Sequence, residues 1–273
     1  EQALRDAAAD AGADALLARA DEILVPNSLW GYRDPARILA DRLGAQSATT
    51  LLADFGILQQ GLINRACQRI LAGDAQVMLV DGGEARYREQ CAARAGDEVG
   101  MVQEADDVEP DITLRPGAEL MSEVESNAGL GMPVGYYAIM DSALRFKQGL
   151  SVDEHRDRMA AQYARFSEIA AANPEGWVGE PFSAEFIRAH SLKNRMLAFP
   201  YTKLHNSQWT VDQAAGLILC SAAVAEELGI ARSQWVFPVA STEYNFMSVI
   251  ATRGELGGSE GFRIAGRKAM QLA

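Results

Sequence analysis

The stretch Thr49–Tyr87, TTLLADFGILQQGLINRACQRILAGDAQVMLVDGGEARY, carries the spacing in this chain that best suits chemistry on a negative charge. A buried strand at Thr49–Ala53 runs into a sharp turn at Asp54, Phe55 and Gly56, and an amphipathic helix follows. A residue in such a turn stands at the C-terminal edge of a sheet and at the positive end of a helix. That place favours a thiolate or a developing oxyanion. The turn holds no nucleophile, because residues 50–60 contain neither cysteine nor serine. Cys67 lies about three turns further along the helix. Cys220 falls in an apolar strand, where a thiol acts as a small inert hydrophobe, and Cys91 follows the Gly-Gly-Glu turn. All three read as structural.

Other side chains could bind rather than react. Glu84 stands at a strand C-terminus, a frequent place for ligand residues in α/β folds. It reads either as such a residue or as the tie of its own turn, and Asp81 reads as structural. His205, Asn206, Ser207 and Gln208 are short polar groups able to hydrogen-bond amides. Lys193, Arg195 and Lys203 form the densest basic cluster, which is solvated charge or the local compensation a phosphate-bearing ligand needs. Met132, Tyr136, Tyr137 and Phe146 line either a channel or a core. His155 and His190 read as solvated, and no histidine pair has metal-ligand spacing, so no metal site is expected. The glycines of ELGGSEG match neither a phosphate loop nor a dinucleotide fingerprint.

The elements that must position these groups alternate between helix and strand. Apolar Ala3, Leu4, Ala7, Ala8, Ala11, Ala15 and Leu16 share one face and predict a helix over 2–20. Strands are predicted at Glu22–Val25, Thr49–Ala53 and Val77–Val80, with helices at Pro35–Leu43, ended by Gly44, and at 57–72, ended by Gly73. This order implies a mostly parallel sheet. Residues 97–125 are acidic, weakly periodic and read as an exposed excursion. Ser151 with Glu154 makes a capping box for a helix through Ala172, and Ser183 caps another. A strand at Ala214–Ser221 and a helix at Ala222–Leu228 return to the α/β pattern. WVFPVAST resembles a further strand that would open a second sheet, and 259–272 a helix. The domain reading is 1–85, an inserted helical block at 86–205, a return at 206–232, and the start of a second half at 233–273.

At 273 residues, 48% apolar and 23% charged, the chain is of globular composition. A formal charge of −12 argues against a nucleic-acid or anionic-membrane surface. No apolar run approaches the ~18 residues of a membrane helix. The opening EQALRDAAADAG is no signal peptide, and three cysteines without pairing or metal spacing fit a cytoplasmic protein. The opening inside a helix and the ending GRKAMQLA without a terminator lead to the expectation of a missing first strand and a missing downstream domain.

Four stretches in this order resemble the thiolase superfamily, with the greatest likeness to sterol-carrier-protein-type thiolases and actinobacterial thiolase-like proteins. Gly73 through GGEARY resembles the stretch after the nucleophile helix. YYAIMDSALRFKQGLSVDEHRDRMAAQYARFSEIAAANP resembles the loop domain, and NPEGWVGEPFSAEFIRAHSLKNRMLAFPYTKLHNSQWTVDQAA resembles the path back to the sheet. VDQAAGLILCSAAVAEELGI stands where the family carries Asp-Gly-Ala-Ala, a buried strand and a helix. The likeness implies an α/β fold of layered α-β-α-β-α type, with a mostly helical loop domain inserted in the N-terminal half.

The resemblance also implies an acetyl-CoA acetyltransferase-like function on coenzyme A or acyl-CoA as substrate, with no covalent cofactor. It places the family's acyl-accepting cysteine at Gly56 and the coenzyme A segment at His205, Asn206, Ser207 and Gln208, to which the basic Lys203 and the channel candidate Met132 are added as binding residues. Ordinary thiolase chemistry stores the acyl group on sulfur, so the glycine argues against thiolysis here. Two alternatives stay open. One is a non-covalent retro-aldolase of β-hydroxyacyl-CoA working with an OB-fold partner, and the other a non-catalytic coenzyme A-binding protein. The family pairs as dimers or tetramers through the sheet edge that includes the strand before the nucleophile turn, here Thr49–Ala53. The family's other catalytic motifs match no residue of this chain.

Overall fold

The structure, a computed structural model, describes residues 1–208 and 210–273. In chain order its elements begin with α1 (Gln2–Ala11), α2 (Ala15–Ala18), β1 (Glu22–Pro26), α3 (Pro35–Leu43), β2 (Thr49–Ala53) and α4 (Gln59–Ala72). There follow β3 (Val77–Ala85), α5 (Arg86–Ala95), β4 (Ile112–Leu114), α6 (Glu123–Asn127), α7 (Pro133–Lys147), α8 (Val152–Ala172) and α9 (Ala184–Arg188). The last are β5 (Met196–Ala198), β6 (Tyr201–Thr202), β7 (Asp212–Cys220), α10 (Ala222–Glu227) and α11 (Glu260–Leu272). They divide into two compact units, one of Glu1–Ala118 with 210–246 and Gly261–Ala273, the other of 119–208 with 247–260.

The first unit is built on a five-stranded sheet in the order β4-β2-β1-β3-β7. Strands β1 to β4 run parallel and β7 pairs antiparallel with β3. The strand period of two sorts the side chains onto its faces. Ile23, Val25, Val77 and Leu79 meet Leu4 and Ala8 of α1, Leu16 and Leu17 of α2, Leu39 and Leu43 of α3 and Val224 of α10. Leu24, Leu51, Ala53 and Met78 face Leu62 and Ala66 of α4 on the other side. The ends of α3 and α4 are stopped at Gly44 and Gly73 as the sequence predicts.

Several elements differ from the sequence expectation. The single helix over 2–20 is two, because Gly12 takes φ +66° and its N–H closes α1 on the carbonyls of Ala8 and Ala9. Gly82-Gly83-Glu84 is strand rather than turn. It pairs residue for residue with Ala215, Ala214 and Gln213 of β7, a long-range partner that local sequence does not announce. Part of the acidic excursion forms β4 on the outside of β2, so Thr49–Ala53 is not a sheet edge. WVFPVAST is not a strand. Among the described residues it finds no pairing partner, Pro238 lacks an N–H, and Val236, Phe237 and Val239 are exposed.

The second unit is mostly helical. Ser151 and Glu154 form the expected capping box on α8, Ser183 caps α9, and the hairpin β5-β6 carries a short 3-10 turn, Lys203–His205.

Candidate functional site

In the first unit, Gly56 lies in the tight turn between β2 and α4 and has φ +100°. Ile57 N–H donates to the Asp54 carbonyl at 3.1 Å, closing that turn. Asp54 accepts from Asn27 Nδ2 at 3.3 Å and pairs with Arg115 at 3.6 Å. Glu84 is a tie rather than a free carboxylate. It accepts from Ser28 Oγ at 2.7 Å, from Leu29 N–H at 3.3 Å and from its neighbour Ala85 N–H, and so fixes the loop after β1. Asp81 is buried in the middle of β3, where desolvation raises its pKa. None of the cysteines reaches the turn. Burial raises the pKa of Cys67 and of Cys220, which keeps both as inert thiols.

The second unit holds a groove of about 560 Å³. One stripe of α7, Tyr137, Met140, Asp141 and Leu144, forms a wall at helical spacing, facing Tyr163, Tyr201 and the run His205-Asn206-Ser207. Residues 256–259 complete its lining.

His205 is placed by a chain of buried polar contacts. Asn194, wholly buried, donates through Nδ2 to the carbonyls of Ile187 and Ala189 and accepts from Leu204 N–H at 3.0 Å. That hub ties α9 to the 3-10 turn. Thr202 N–H donates to His205 Nδ1 at 3.2 Å, and Thr202 Oγ1, 2.8 Å from the same nitrogen, shares its proton between it and the Ile187 carbonyl. Nδ1 therefore accepts, and the proton sits on Nε2. Nε2 is buried and has no partner among the described residues. Desolvation lowers the pKa of His205, Arg156 lowers it further and Asp141 opposes them. The ring is thus a neutral donor at physiological pH. The edges of Tyr163 and Tyr201 stand against it, with ring centroids 5.0 and 6.0 Å away. Burial raises the pKa of both phenols, with the Asp141 charge adding to it, so both stay protonated. Among the described residues, no lysine or arginine lines the groove. Its chemistry is hydrogen bonding to neutral polar atoms beside an apolar wall.

Solved structures share this overall fold. A monomeric SCP2-thiolase-like protein, type 1, from Mycobacterium smegmatis matches at 25% identity with TM-score 0.71, over 94% of this chain and 48% of that one. An Ltp2-ChsH2(DUF35) aldolase matches at 16% identity with TM-score 0.64, over 97% of this chain and 61% of that one. The chain has a thiolase-like fold. It is related to that of the SCP2-type thiolases, and the chain spans about half to three fifths of the length of these two proteins. No family model and no curated protein matches it.

On this thiolase-like frame, the sequence-derived binding residues separate. His205, Asn206 and Ser207 come together in the groove, while Lys203, Gln208 and Met132 are exposed and outside its lining. The Asn206 amide already donates to the Thr202 carbonyl at 2.8 Å. Of the aromatic candidates Tyr137 lines the groove, whereas Phe146 is 81% exposed. His155 is not solvated as expected. It is buried and its Nε2 meets Asp141 at 2.7 Å, linking α8 to α7. Sequence reading missed Asp141, Tyr163 and Tyr201. The usable signal was a lone acid inside the Tyr137–Leu144 apolar stripe, since a buried carboxylate demands a partner. Among the described residues no group of His, Cys, Asp and Glu is placed to hold a metal, and no helix is long and apolar enough to cross a membrane.

Proposed function

We propose that this chain is a thiolase-like protein that binds coenzyme A or acyl-CoA, with the pantetheine arm in the groove of the helical unit. The observation that carries the reading is the convergence of His205, Asn206 and Ser207 on one groove whose lining, among the described residues, has donors and apolar surface but no cation. Pantetheine offers amide carbonyls and a flexible apolar chain, and the neutral His205 donor suits the first. To the exposed Lys203, two residues from His205, and the exposed Arg195, whose carbonyl accepts from Lys203 N–H, we assign the phosphates.

Covalent acyl transfer at the β2–α4 turn has no sulfur to use. The left-handed backbone of Gly56 further disfavours any side chain there. This absence favours, as the second reading, non-covalent carbon–carbon cleavage of a β-hydroxyacyl-CoA, possible where a base and oxyanion donors are supplied with a partner. The likeness to an aldolase complex is in keeping with it.

Titration calorimetry of the chain with coenzyme A tests the binding, with Ser207→Phe to fill the groove. Binding that weakens at least about tenfold in the variant, or roughly 1.4 kcal/mol, supports the proposal, and no binding by the parent chain sinks it. Loss of acetoacetyl-CoA enolate absorbance in the presence of coenzyme A at ordinary thiolase rates would overturn the Gly56 argument.

A further inference from the structure

We infer that residues 101–114 form an intramolecular strap that takes the place of a second chain on the edge of β2. Strand β2 already has β1 on one side. Left uncovered, its other side would be a row of unpaired N–H and C=O groups, a template for pairing with another polypeptide. The chain covers it itself. Leu51, Leu52 and Ala53 pair in parallel with Ile112, Thr113 and Leu114, and Asp54 N–H donates to the Leu114 carbonyl at 2.9 Å.

The strap is fastened at two places. At its end, Asp111 accepts from Thr50 N–H at 2.8 Å and from the Arg37 guanidinium at 3.0 Å, while Asp111 N–H donates to Thr50 Oγ1 at 3.0 Å. Thr50 Oγ1 in turn donates to the buried Asp34 carboxylate at 2.8 Å. At its start, Glu104 accepts from the backbone N–H groups of Arg33 and Asp34, both at 2.8 Å, and Val102 N–H reaches the Tyr32 hydroxyl. These anchors are charge-assisted and tie the strap to the start of α3.

The new outer strand is a poor template. It has three residues and stands between Pro110 and Pro116, which cannot donate to a ladder. The acidic composition of 97–111 therefore has a use. Two of its carboxylates, Glu104 and Asp111, hold backbone donors of the first unit, and a second copy finds neither β2 nor a long β4 to pair with.

Hydrogen exchange of the unmodified chain is the first test. Protection of the Thr50–Asp54 amides is expected to be unchanged on dilution over roughly two orders of magnitude. Protection that disappears on dilution would mean that a second copy covers the edge, and would overturn the inference. The second test uses Glu104→Ala with Asp111→Ala. Faster proteolysis within 101–114 and faster exchange at Thr50–Asp54, with far-UV circular dichroism retained, are expected. A peptide of residues 108–117 added in trans should restore the protection. Exchange and cleavage identical to the parent chain would refute the strap, whatever the first test shows.

Discussion

His205 concentrates the residue-scale physics of the candidate site. The residue is 5% exposed, its ring accepts from Thr202 at Nδ1, and it has Arg156 of α8 near enough to disfavour a second proton. Asp141 on α7 pulls the other way, while Tyr163 and Tyr201 stay neutral beside it. Because the folded pKa lies below the ordinary value of about 6.5, the unfolded chain takes the proton first. The contribution of His205 is thus present above about pH 6.5 and lost as pH falls toward the lower folded pKa. His205→Asn removes this titration. Its denaturation midpoint, followed from neutral pH down to about pH 5, should fall less steeply than that of the parent chain. Parallel slopes for the two proteins would show that the ring is not held neutral.

At the scale of elements, α1 approaches β7 more closely than a side chain allows. A Cβ on Gly216 would stand 2.9 Å from Leu4 N and 3.0 Å from the Ala3 carbonyl carbon. Both are backbone atoms of a helix whose Leu4 and Ala8 are wholly buried, so neither can yield without lifting α1 from the sheet. Gly216→Ala should cost about 1–3 kcal/mol, as overpacking does, read as a lower denaturant midpoint with unchanged slope. An unaltered midpoint would mean that α1 does not sit on β7 as described. The same pairing explains what sequence reading could and could not reach. Helix ends at Gly44 and Gly73 and the caps at Ser151 and Ser183 are local events, written in a few adjacent residues. The strand character of Gly82-Gly83-Glu84 and the existence of β4 depend on partners far along the chain. The groove divides in the same way. His205-Asn206-Ser207 is contiguous and legible, whereas Asp141 of α7, His155 and Tyr163 of α8 and Tyr201 of β6 are assembled by tertiary packing alone.

For the molecule as a whole, a formal charge of −12 opposes the approach of any polyanion. Coenzyme A carries its charge on phosphates and offers a neutral pantetheine arm, so the two ends of one ligand report on different parts of the surface. Salt screens exposed charges beyond about 8 Å at physiological ionic strength, which leaves the nearby cations to decide the local balance. Lys193, Arg195 and Lys203 are all exposed, and Lys203 shares its 3-10 turn with His205. If these cations hold the phosphates while the groove holds the arm, coenzyme A affinity should fall several-fold between roughly 0.05 and 0.5 M salt. Affinity for pantetheine itself should stay nearly constant, since its contacts are hydrogen bonds and apolar surface. Lys203→Ala should flatten the first dependence and leave the second alone. Calorimetry of the two ligands across that salt range makes the comparison directly. Equal salt slopes for both ligands, or a coenzyme A affinity that rises with salt, would remove the basic cluster from the binding site and leave the groove to act by itself.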